Sequence, residues 1–116
     1  EAGDGARTEI ALAQARQALT DIREADAVRD HYLGLFDAIK TRGLDAEVSV
    51  KPTQLGFDQS LEKCREHCLA LARKADAVGS ALWLDMEDST TVDRTLELYR
   101  AVRGVHARAG LAVQAY

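Results

Sequence analysis

The chain is short of several things, and each shortage removes a class of protein. No apolar run approaches the roughly 20 residues that a membrane-crossing helix needs. Residues 1–30 show no signal-peptide pattern. Basic residues are not in excess: 15 Lys and Arg stand against 19 Asp and Glu, a net charge of −4. That balance leaves no electrostatic footprint for nucleic acid and no polybasic patch for anionic lipid. Only two cysteines occur, Cys64 and Cys68. They make no disulfide framework and fit a reducing compartment. With His67 between them a metal site is conceivable, but two thiolates are too few, so no metal is expected and the segment reads as a helix face half turned to the core. Glycine-rich phosphate loops of the G-x-G-x-x-G or Walker type are missing. No Ser-His-Asp arrangement follows from the spacings.

What remains is the composition of a soluble globular domain, 47% hydrophobic and 29% charged over 116 residues. Its clearest pattern is three short apolar segments, each ending in one polar residue: Val48-Ser49-Val50-Lys51, Ala81-Leu82-Trp83-Leu84-Asp85 and Leu111-Ala112-Val113-Gln114. Side chains alternate faces along a strand. Val48 and Val50, Leu82 and Leu84, Leu111 and Val113 therefore share an aliphatic face, and Lys51, Asp85 and Gln114 leave from the other. Parallel sheets bind ligands at the carboxyl ends of their strands. A lysine, a carboxylate and an amide are thus expected to meet at one rim.

Helical patterns separate these strands. Residues 1–8, with Gly3 and Gly5, read as a loose start, and residues 9–19 form an alanine-rich stretch of helical propensity but poor apolar stripe. A clearer helix is predicted over 24–41, with Val28, Tyr32, Leu35, Phe36 and Ile39 at helical spacing and Gly43 as its stop. Strands follow at 47–51, 81–85 and 111–115. Helices are expected at 60–78, striped by Leu61, Cys64, Cys68, Leu71 and Ala75, and at 91–106, striped by Val92, Thr95, Leu96, Tyr99 and Val102. The order α-β-α-β-α-β argues for parallel βα units. The strand ends recur about every 30 residues, the size of a repeat in a (β/α)8 barrel of about 250 residues. Three repeats cannot close such a barrel, so the expected fold is α/β: a partial (β/α)8 TIM-type barrel of three consecutive parallel βα units with a leading helix, the rest of the barrel lying outside this chain.

Each candidate has more than one role open to it. Lys51 can hold an anion, form a Schiff base if desolvated, or simply reach solvent. Glu87, Asp88 and Ser89 are explained as capping residues of the following helix. Asp85 is not, because it ends a strand. Gln114 can bind a heterocycle edge or satisfy backbone groups. His31 and His106 read as solvated or locally paired, Trp83 as filling the sheet interior, and Asp37, Glu62 and Glu97 as solvated helix faces.

Three segments together add a family resemblance. VSVKPTQLGFD (48–58), LWLDMEDSTTVDRTLELYR (82–100) and LAVQAY (111–116) resemble the monofunctional bacterial proline dehydrogenases and, less closely, the proline dehydrogenase domain of bifunctional proline utilization A proteins. The preceding AVRDHYLGLFDAIKTRGLDAEVSVK fits as well. Residues 20–116 carry the resemblance as part of a catalytic domain; residues 1–19 do not and are left as an unassigned N-terminal segment. The resemblance implies a distorted (β/α)8 barrel that holds FAD, oxidises L-proline to Δ1-pyrroline-5-carboxylate and passes electrons to quinone. It gives Lys51 the role of binding the proline carboxylate, Asp85 that of the active-site aspartate, and Met86 and Gln114 contacts to the flavin. It implies a cytoplasmic protein, with peripheral attachment to the inner membrane left open. The family's substrate-binding arginines and most of its flavin contacts have no counterpart in these residues, so the chain alone is expected to be inactive. Two other readings stay open: a Schiff-base aldolase on the same barrel with Lys51 as nucleophile, and a non-catalytic α/β module.

Overall fold

The computed structural model describes residues 2–86 and 92–112. A single helix, α1, runs over Ala2–Arg42. It replaces the loose start and separate second helix expected from the sequence. Its first half is held by alanine-rich propensity, with no proline to interrupt it and no continuous apolar stripe to bury; Ile10, Leu12 and Leu19 are exposed. At about 1.5 Å per residue its 41 residues span about 60 Å, and they account for the 63 Å long dimension of the molecule. Only its second half joins the core. Ala25 and Phe36 are buried there, with Val28, Tyr32, Leu33 and Ile39 packed alongside. Leu35, expected on the apolar stripe, is exposed.

The helix stops in a Schellman arrangement. Gly43 takes φ +63°, its N–H bonds the Lys40 carbonyl and the Leu44 N–H bonds that of Ile39. Strand β1 (Val48–Val50) follows. A one-turn 3-10 helix over Pro52–Leu55 comes next, with Pro52 in its first turn. Helix α2 (Leu61–Val78) is capped by the Ser60 hydroxyl, which accepts from the Lys63 N–H at 3.2 Å. It ends at Gly79 (φ +73°) with the same paired bonds as α1: Gly79 N–H to the Asp76 carbonyl and Ser80 N–H to that of Ala75.

Strand β2 (Leu82–Asp85), helix α3 (Val92–Val105) and strand β3 (Ala109–Ala112) complete the described chain. The strands form one open parallel sheet in the order β1-β2-β3. Val48, Val50, Leu82, Leu84 and Ala109 turn to the helices, where Cys64, Cys68, Leu71, Ala75, Leu98 and Val102 complete the core. On α3 the buried face is Thr95, Leu98 and Val102, not the Leu96 side of the expected stripe. The opposite sheet face has no covering layer among the described residues, and Trp83 stands 37% exposed on it. It is this uncovered face that carries the polar strand tips.

Candidate active site at the strand tips

The pairing register fixes which residues share a level. Ser49 pairs with Trp83 and Trp83 with Gly110; one step up, Asp85 pairs with Ala112. Lys51 follows Val50, whose partner is Leu84. Its backbone stays extended (φ −101°, ψ 122°), so the alternation of β1 carries on through it and brings it level with Asp85 on the Ser49 face. Two of the expected rim residues therefore stand at adjacent strand ends on one uncovered face. Lys51 is exposed and Asp85 half-buried. Ala112, rather than Gln114, is the β3 residue level with Asp85; Gln114 lies outside the described residues, as do Glu87, Asp88 and Ser89.

Asp85 is not free to swing. The Ser49 hydroxyl donates to its Oδ1 at 2.9 Å, a diagonal bond from β1 to β2. Sequence reasoning missed Ser49, although its phase relation to Lys51 in V-S-V-K was visible. Met86 is buried, and its N–H already bonds the Ala112 carbonyl at 3.0 Å, extending the β2–β3 ladder. Any contact from Met86 to a ligand must then use its carbonyl or its thioether. Trp83 does not fill a closed interior as expected. It lies on the open face, with Nε1–H donating to Glu47 Oε2 at 3.1 Å.

The histidines serve elsewhere. His31 is exposed and meets the Tyr32 ring edge-on. His106 is neither solvated nor on a helix: it follows α3, is 2% exposed and sits at the amino ends of the strands. Its Nε2 donates to the Ser80 carbonyl at 2.7 Å, and Nδ1 lies 3.1 Å from Asp76 Oδ1. The Ser80 hydroxyl in turn donates to the Ala46 carbonyl at 2.7 Å. His67 is buried between α1 and α2, where Arg29 Nη1 donates to its Nδ1 at 3.4 Å and Nε2 lies 2.8 Å from Asp26 Oδ1 without hydrogen-bond alignment. Burial, reinforced by the Arg29 and Lys63 charges and opposed by Asp26, holds the His67 pKa below its ordinary 6.5. Cys64 and Cys68 are buried and share no disulfide, the Cys64 Sγ donating to the Pro52 carbonyl at 3.5 Å, and among the described residues no cluster of three His, Cys, Asp or Glu is placed to hold a metal ion.

A βα-repeat sheet with charged side chains at its carboxyl ends is the framework of an α/β ligand-binding domain. The sequence comparisons narrow this. No family model matches the chain. Proline dehydrogenase 1 of Bacillus subtilis subsp. natto is 33% identical over 94 residues, which are 81% of this chain and 31% of that protein. Proline dehydrogenase 1 of Bacillus subtilis strain 168 is 32% identical over the same 81% and 31%. Proline dehydrogenase 2 of strain 168 is 24% identical over 98 residues, 82% and 32% of the two chains. The chain is a relative of the proline dehydrogenases, as its motifs indicated, and it spans about a third of the length of the relatives it matches. No helix among the described residues is long and apolar enough to cross a membrane.

Proposed function

We propose that residues 20–116 belong to the catalytic (β/α)8 barrel of an FAD-dependent proline dehydrogenase, which oxidises L-proline to Δ1-pyrroline-5-carboxylate and passes the electrons to quinone. One observation carries this reading: Lys51 and Asp85 end adjacent parallel strands on one uncovered sheet face, in a chain whose relatives are proline dehydrogenases. Three strands leave both sheet edges unpaired, a liability that native folds cover. In this reading further βα units pair those edges and cover the open face. They also bring the remaining flavin contacts, so the 116 residues alone are expected to bind flavin weakly and to be inactive.

The donor set suits the chemistry. A cation beside an anion at the strand tips matches a substrate that is both carboxylate and amine. The uncovered face around exposed Trp83 leaves room for a flat ring. FAD, when bound, supplies the acceptor for the hydride that leaves proline C5. Lys51 anchors the proline carboxylate through a charge-assisted hydrogen bond. Asp85 gives the ammonium an anionic neighbour on the same sheet face and can pair with an arginine from elsewhere in the barrel. Met86 and Gln114 would be the residues of this chain that hold the flavin, Met86 through its carbonyl or thioether because its N–H is already bonded. Positioning of this kind supplies much of the rate in a hydride transfer. A quinone acceptor is held in membrane, which favours a cytoplasmic protein working at the inner-membrane surface.

The test is optical. The full-length, flavin-loaded protein should bleach when L-proline is added without oxygen. A flavin-loaded sample that keeps its colour would overturn the reading.

A further inference from the structure

The bond between Ser49 and Asp85 crosses strands and levels. Ser49 stands level with Trp83, one layer below Asp85, yet its hydroxyl reaches Asp85 Oδ1 at 2.9 Å. The carboxylate is therefore drawn towards β1, the strand that continues into Lys51. The β3 positions on this face, Gly110 and Ala112, offer no polar side chain to draw it the other way. The Ser49 bond engages Oδ1 of the carboxylate. Ser49 is exposed and takes no part in the buried core. Its hydroxyl is not there to satisfy the core.

We propose that Ser49 is a positioning residue for Asp85, fixing that carboxylate's rotamer beside Lys51; this rests on the proline-oxidising reading above. A single hydroxyl suits the task. It donates one hydrogen to the carboxylate and adds no charge that would compete with Lys51 for it. Without it, Asp85 has to be ordered on its side-chain torsions in each catalytic cycle, and Lys51 faces an anion that is only part of the time in place. The effect is transmitted through Asp85 alone, which sets it apart from a general loss of packing.

A double-mutant cycle on the full-length, flavin-loaded protein tests this. Ser49→Ala should lower kcat for anaerobic proline-dependent flavin reduction about tenfold, the scale of one lost hydrogen bond to a charged group. Ser49→Thr, which keeps the hydroxyl, should restore most of the rate. In an Asp85→Ala background Ser49→Ala should cost nothing further. The urea midpoint of Ser49→Ala should match that of the unmodified protein. Unchanged kcat in Ser49→Ala, or the same tenfold loss with and without Asp85, would overturn the assignment while leaving proline oxidation intact. Failure of the unmodified protein to bleach would instead remove the oxidation reading, and this role for Ser49 with it.

Discussion

The indole of Trp83 lies across Gly110 of the neighbouring strand, so closely that a Cβ built on the glycine would stand 2.5 Å from Cζ3 and 2.6 Å from Cε3. Gly110 has no positive φ, so the backbone would accept alanine; the ring would not. Because Trp83 is partly exposed, it can swing outward rather than force the strands apart. Gly110→Ala should therefore break the Trp83–Glu47 hydrogen bond at a stability cost of about 1 kcal/mol. Trp83 is the sole tryptophan, so intrinsic fluorescence reads the change directly as a shift in its emission maximum. An unshifted emission maximum in a folded variant would show that the ring does not rest on Gly110.

The two strand-tip charges should fail differently. On the proposed function Lys51→Ala removes an anchor used in both ground and transition states and is expected to raise the proline KM more than it lowers kcat. Asp85→Ala disorders the remaining ammonium and should lose more turnover than Asp88→Ala, since Asp88 reads as a helix-capping residue and lies outside the described residues. Steady-state kinetics on the full-length protein measures both. Equal losses for Asp85 and Asp88 would remove Asp85 from the proposed site.

Where local chemistry decides a structure, it was legible. Ser60 and Gly79 bracket α2 to within a residue of expectation because a cap and a left-handed glycine act through the nearest backbone. The alternation of V-S-V-K and L-W-L-D placed Lys51 and Asp85 on one face for the same reason. Errors arose where distant contacts or unaided propensity decide. In the first half of α1 propensity pointed to helix over 9–19, but with no stripe to bury, periodicity gave no sign that the helix starts at Ala2 and runs unbroken into its second half. The third strand, expected over 111–115, begins at Ala109; Gly110 lies within it, and Trp83 on another strand explains its missing side chain. His106 is buried by Asp76 and Ser80, residues some thirty positions away or nearly so, which no helical spacing reveals.

His67 should make the α1–α2 interface sensitive to mild acid. Its folded-state pKa lies below 6.5, chiefly through burial and then the Arg29 charge. The unfolded chain therefore binds the proton more readily, and stability must rise with pH through this range. This contribution is complete above pH 6.5 and fades as pH falls below it towards the folded value. Urea midpoints measured across that window should fall on acidification. A His67→Gln variant should lose this part of the slope; an unchanged slope would assign it to other groups.

His106 ties the amino ends of the sheet together, opposite the proposed site. It spans from the loop before β3 to the Ser80 carbonyl before β2 and to Asp76 in the last turn of α2, while Ser80 reaches on to Ala46 before β1. Arg108 and Arg103 add bonds to the Gly79 and the Ala107 and Ala109 carbonyls on the same side. Removing the imidazole leaves a buried carbonyl without its donor. His106→Ala should therefore destabilise by about 1–3 kcal/mol, a loss carried at the amino ends of the parallel strands, away from the carboxyl ends where such sheets bind ligands. The rim is built from the other ends of the strands, so the variant should keep its proline KM at temperatures where it remains folded. Chemical denaturation and kinetics on the same full-length preparation separate the two effects. A raised KM with an unchanged midpoint would contradict the division of labour between the two ends of the sheet.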